Sequence, residues 1–178
     1  MQTFGTLTLH PALERPELLG EPVREALASW EHAGDVGVAQ IDPDLADTAA
    51  MTEAYDVPLE SSANCVVVMG RRGGEERTAA CVVRADTRAD VNNAVRRTLD
   101  VRKCSFLDHD RAVAETGMEY GGITPIGVPA RWRLLIDASV ADIDNTIIGS
   151  GIRGSKLFVP GRLLCLLPGA EVITGLAL

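Results

Sequence analysis

Two apolar runs joined by an arginine–glycine turn limit what this chain can become. Residues 65–69 read Cys-Val-Val-Val-Met and residues 77–84 read Arg-Thr-Ala-Ala-Cys-Val-Val-Arg, with Arg71-Arg72-Gly73-Gly74 between them. A short continuous apolar run bounded by turn signals is the pattern of a buried strand. Glycine supplies the positive φ that a tight reversal needs. The pair therefore predicts a β-hairpin.

The rest of the chain is organised around it. A short strand is expected within 4–9, and a helix from Pro22 through about residue 32, with proline in the first helical turn. A strand at 35–41 and a helix at 44–55, ended by Val57-Pro58, come next. Asp90 opens a helix over 90–99, a strand covers 102–106, and a helix at 108–116 closes on Gly117. Strands are expected at 132–138, 145–149, 157–159 and 163–167. Helices and strands interleave irregularly and several strands are joined by tight turns. This predicts an α+β fold with a mixed, largely antiparallel sheet and surrounding helices, not a doubly wound one. Residues 60–168 are expected to form one sheet, with helices 90–99 and 108–116 outside it. The loops at 121–127 and 149–154 are expected to face a common cleft.

A chain of 178 residues fits one domain. Aromatic residues make up only 4%, so the core must be aliphatic. The four cysteines stand too far apart for a CxxC, and with three histidines there is no metal-ligand spacing; neither metal nor cofactor is expected. Cysteines 65, 81 and 165 lie in apolar runs and read as buried, reduced thiols, which points to a cytoplasmic protein. No leader segment and no membrane-length apolar run is seen. The charge is unevenly spread. Residues 1–60 hold 2 basic and 12 acidic side chains, net −10; residues 61–178 hold 15 basic and 13 acidic, net +2. Residues 1–44 are read as an acidic N-terminal extension packed on a domain of residues 45–178. The milder remainder permits RNA binding, with Arg71, Arg72, Arg96 and Arg97 as candidates, although such pairs read first as solvated surface charge.

Chemistry has few places to sit. Gly121-Gly122-Ile123-Thr124-Pro125-Ile126-Gly127 could be a plain turn, or it could present N–H donors to an oxyanion or phosphate. Gly149-Ser150-Gly151-Ile152-Arg153-Gly154 could cradle an anion but fits neither the Walker nor the dinucleotide pattern. There is no G-x-S-x-G. His109, between Asp108 and Asp110, reads as a helix N-terminal surface position. Asp137 ends an apolar strand and is either catalytic or a turn cap.

From residue 45 to 167 these pieces resemble, in order, the YbaK/ProX family and the related editing insertion of bacterial prolyl-tRNA synthetases. "TEAYDVP" precedes "SSANCVVVM"; "CVVRADTRADVNNAVRRTLDVRKCSFLD" follows; "AETGMEYGGITPIG" carries the family's G-x-x-x-P loop as Gly121 to Pro125, with Gly127 after it. "LLIDASV" and "IIGSGIRGSKLFVPGRLL" resemble the family's Ile-Asp strand and its glycine turn. The resemblance implies a YbaK-like domain that acts in trans on the aminoacyl 3′ end of tRNA, hydrolysing the ester of a mischarged tRNA, with a tRNA-Pro class substrate. An aminoacyl-tRNA synthetase is the second implied partner. On this reading Gly121 supplies oxyanion donors and Asn64 orients the terminal ribose. Gly122, Ile123, Thr124 and Pro125 shape the amino-acid pocket, Asp137 binds substrate, and Gly149, Ser150 and Gly151 form the far wall. Many members carry a lysine where this chain has Asn64. That neutral residue leaves a non-catalytic tRNA-binding or synthetase-associated module as the alternative.

Overall fold

The computed structural model describes residues 2–178. The expected hairpin is its longest feature. Strands β4 (Ala63–Arg72) and β5 (Glu75–Arg84) pair antiparallel, with Arg72 opposite Glu75. Gly73 and Gly74 carry the reversal at φ 59° and 84°. This is the double positive-φ turn that follows strand twist.

The hairpin is central in one of two five-stranded sheets. Its sheet runs β10 (Ala170–Ile173), β7 (Arg133–Asp137), β5, β4, β6 (Cys104–Phe106), with β10–β7–β5 parallel and the rest antiparallel. The second sheet is antiparallel throughout: β1 (Gln2–Phe4), β2 (Leu7–Pro11), β3 (Gly37–Gln40), β9 (Ser155–Val159), β8 (Thr146–Gly149). The single sheet expected over 60–168 is thus corrected to two. Strand β9 pairs with β3 from the acidic segment, because Val38 and Ala39 bury both faces of β3 and leave its edges to be satisfied by strands. Residues 163–167 are not a strand. Pro160 and Gly161 open helix α5 (Gly161–Leu164), which buries Leu163 and Leu164, the turn after it buries Leu167, and β10 follows unforeseen.

Period-two burial sorts the strands into layers. Val67, Ala80, Val82, Leu134, Ile136, Ile148, Leu157 and Val159 face the core between the sheets. Val68, Ala79, Cys81, Val83 and Leu135 face outward under Val91, Val95 and Leu99. Val91 and Val95 come from a π-helical turn at Val91–Val95 that continues into α3 (Arg96–Thr98), and Leu99 caps α3. Ile147 and Phe158 face a third cluster closed by Met51 of α2 (Thr48–Tyr55). Helix α1 (Glu21–Ser29) buries Val23 and Leu27. In α4 (His109–Thr116) Asp108 accepts from the Arg111 N–H at 3.1 Å, and Gly117 at φ 67° ends the helix. Among the described residues no helix is long and apolar enough to cross a membrane.

Candidate active site

The two sheets meet through one parallel bridge, Ser62 to Ile147. Beyond it they splay, and a cavity of about 320 Å³ opens between β4 and β8. Strand β6 pairs with β4 only from Val68 onward, and Leu107 N–H donates to the Val67 carbonyl at 2.9 Å. Backbone groups alternate sides along a strand, so those of Cys65 leave on the same edge as those of Val67. They face the cavity, where neither sheet supplies a paired strand.

The opposite wall is made of glycine backbone. Gly121, Ile123 and Gly149 all border the cavity. The two loops lock together: Gly151 N–H donates to Gly122 carbonyl at 2.8 Å and Glu119 N–H to Gly151 carbonyl at 2.9 Å. A Cβ on Gly122 would lie 2.7 Å from the Ile152 carbonyl carbon, and one on Gly149 would lie 2.8 Å from the Ile123 carbonyl oxygen. Only glycine fits this approach. Gly121 sits at φ 83° with the Arg153 guanidinium over it. Arg153 donates to the carbonyls of Tyr120 (3.2 Å) and Pro43 (3.0 Å), so its charge clamps the loop instead of entering the cavity.

Asn64 lies within β4, half-buried, and lines the cavity. Thr48 Oγ1 donates to its Oδ1 at 3.0 Å, which leaves the Nδ2 donors without a protein acceptor among the described residues. Ser62 is buried beside it, and its Oγ has no partner among the described residues. Cys65 is no nucleophile: burial pushes its thiol up to about 12, so it stays protonated.

Other expected site residues stand back from the cavity. Thr124 and Pro125 are buried behind Ile123, and Gly122 and Gly151 form the interlock. Ser150 Oγ is spent on Ser155 and the Ile152 carbonyl. Asp137 is not brought here. One of its oxygens accepts from the Ser139 N–H (2.9 Å) and hydroxyl, and the other from the Ala177 N–H at 3.0 Å. Burial alone would raise its carboxyl, but these bonds hold it below the usual range. It is a strand-end cap.

The structure adds residues that sequence reading passed over. Phe106 and Tyr120, both more than half exposed, stand at the mouth, and the His109 ring lies 4.3 Å from that of Tyr120. Asp47 and Thr48, at the start of α2, border the opening. Lys156 on β9 is buried and borders the cavity. A charge directly before the apolar run Leu157-Phe158-Val159 was the available signal.

A family model for the aminoacyl-tRNA editing domain matches residues 42–165, which includes every wall of this cavity. The chain belongs to that family. The proline–tRNA ligase of Listeria monocytogenes serotype 4a is 28% identical over 113 residues, 63% of this chain and 19% of the ligase. That of Listeria welshimeri is 28% identical over 107 residues, 60% of this chain and 18% of the ligase. The chain thus spans about a fifth of these relatives. Among solved structures, a hypothetical protein, APE2540, superposes with a TM-score of 0.77 at 18% identity, covering 89% of this chain and all of that one. A proposed trans-editing enzyme for prolyl tRNA synthetase gives 0.71 at 16%, covering 88% and 97%. At such identities these two show the editing-domain fold.

Proposed function

We propose that the chain is a trans-acting deacylase that hydrolyses the ester of mischarged tRNA, on a substrate of the tRNA-Pro class. The observation that carries this is the meeting of the Gly121 and Gly149 backbones with Asn64 around one cavity. The name of the ligase relatives and the description of the prolyl editing structure supply the substrate class.

Water attacks the ester carbonyl. A carbon–oxygen bond forms, the bond to the terminal ribose oxygen breaks, and that oxygen leaves with a proton originating on the water. Free amino acid and uncharged tRNA result. Backbone N–H groups at Gly121 stabilise the tetrahedral oxyanion, and such donors act strongly because they are fixed in place before reaction. Asn64 Nδ2, oriented by Thr48, donates to the ribose. The exposed rings of Phe106 and Tyr120 give the terminal bases a stacking surface. Ile123 bounds the side-chain pocket.

A panel of tRNAs mischarged with different amino acids tests the reading: at least one should be deacylated well above its spontaneous rate. The neutral Asn64 supports the second reading, a binding module without turnover. Retention of tRNA with no hydrolysis of any panel member would favour it.

A further inference from the structure

Strand β9 is buried at every position, Ser155 through Val159, and one of the five side chains is a lysine. Lys156 is 7% exposed. Period two puts it on the Phe158 face, against the cluster that holds Ile147 and Met51. Its ammonium has three donors, yet among the described residues it makes no hydrogen bond and no carboxylate lies within ion-pair distance. Burying an ammonium without a partner is costly, so a buried lysine with none is kept only where its tip can meet something in the cavity it lines. Pairing across β8 sets Lys156 opposite Gly149, and Gly149 in turn abuts the Gly122–Ile123 backbone. The lysine therefore borders the cavity behind its glycine wall. It is the one lysine or arginine among the residues lining it. Ser62 also lines the cavity, and its Oγ is buried with no partner among the described residues.

We propose that Lys156 is the anion-binding residue of this cavity, its ammonium holding an oxygen of the bound 3′-terminal nucleotide, either a phosphate oxygen or the ester carbonyl oxygen. The assignment rests on the reading of the cavity as a receptor for an aminoacylated 3′ end. It explains why an ammonium is kept where the fold gives it no partner: the partner arrives with the ligand. Burial pushes Lys156 down to about 8 while Asp47 opposes that fall, so near neutrality the group is still mostly a cation.

The test is binding, which keeps it separate from hydrolysis. Two probes are titrated into the full chain by calorimetry: the non-hydrolysable alanyl amide of 3′-amino-3′-deoxyadenosine, and the same compound extended by a 5′-linked cytidylyl phosphate. Lys156→Met keeps the side-chain volume, and Lys156→Gln keeps a polar tip; circular dichroism verifies both folds. The expected result is a loss of affinity of tenfold or more in both variants. Loss with both probes assigns the carbonyl oxygen; loss only with the extended probe assigns the phosphate. Wild-type affinity should also fall as pH rises past about 8. Asp47, His109, Tyr120, Cys65 and Arg153 also face or surround the cavity, so the difference from Lys156→Met isolates the lysine. Unchanged affinity in the variants, or no binding of either probe by the wild type, overturns the proposal. If the probes bind through Lys156 while no mischarged tRNA is hydrolysed, the deacylase reading falls and the lysine assignment stands.

Discussion

Two polar regions of this molecule spend charge in opposite ways. Around α4, Arg111 pairs with Glu76 and Glu115, Arg71 shares Glu76 at 3.3 Å, and Arg131 and the Trp132 ring N–H reach Glu115 at 2.6 and 3.2 Å. The hydrogen bonds that Arg111 donates to Glu76 and then to Glu115 raise its guanidinium, and in return both carboxyls are lowered. Every charge there has a protein partner near solvent. In the cavity a single ammonium, a serine hydroxyl and one amide group have none. A satisfied network maintains a shape; an unsatisfied one is built for something that comes from outside.

The largest expected effect would come from damaging the cavity's backbone wall. Gly149→Ala drives a Cβ into the Gly122–Ile123 backbone and should lower deacylation about 100-fold, since displacement by about an ångström can cost that much. Near-normal turnover in single-turnover assays would show that the interlocked loops do not set the reacting geometry.

Lys156→Met sharpens the contrast through stability. The fall from 10.5 to about 8 corresponds to roughly 3 kcal/mol, which the variant should recover in urea unfolding at pH 7. Because the folded group holds its proton less tightly than the unfolded one, the unfolded chain binds more protons between pH 8 and 10.5. Wild-type stability should therefore rise with pH across that window, relative to the variant. Arg111→Met should do the reverse at neutral pH, lowering the melting temperature by removing the cation that Glu76 and Glu115 share. A Lys156→Met chain less stable than wild type would mean that the ammonium has a protein partner after all.

Asn64→Ala should slow deacylation by about 2–12-fold, the range of one neutral hydrogen bond at about 0.5–1.5 kcal/mol. Thr48→Val should give part of that loss by freeing the amide to rotate. An unchanged rate per folded molecule would reduce Asn64 to a strand residue. The smallest effect belongs to Arg71, Arg72, Arg96 and Arg97. Arg71 and Arg72 already pair with Glu76 and Asp100, and Arg96 donates to the Asn92 carbonyl at 2.7 Å. Arg71 also stands seven residues along β4 from Asn64, roughly 23 Å at about 3.3 Å per residue. Reversing all four charges should leave filter-retained tRNA within about twofold. A large loss, with a flattened salt dependence, would make that end of the hairpin an RNA surface.

The legible parts of the fold were those written in short stretches. Gly73-Gly74, Asp108 with Gly117, and Pro22 each mark a boundary through backbone geometry alone, and each mark was readable. Gly121 and Gly149 were readable as places where side chains are excluded. What sequence could not carry was partnership at a distance. Nothing near residue 157 says that β9 will pair with residues 37–40 instead of with the hairpin, so one sheet was expected where two exist. Asp137 looked like a strand-end acid of either kind until Ser139 and Ala177 were seen to use both its oxygens. Lys156 stood in plain sight, but a lysine in a strand usually extends into bulk solvent; only the three-dimensional structure reveals that this one is buried along its length and borders the cavity.

The pairing of β3 with β9 has a practical consequence at the bench. The editing-domain match starts at residue 42, one residue past Ile41, whose N–H donates to the Gly154 carbonyl, and just beyond the strand that sets Ala39 opposite Lys156. A fragment trimmed to the family boundary would keep all the loops of the site and lose the neighbour of β9. It would display Ser155 through Val159 as a bare, apolar sheet edge, the sort of surface on which chains stick to one another. Fragments expressed from the domain boundary alone should clump, and those that begin at the first strand should not.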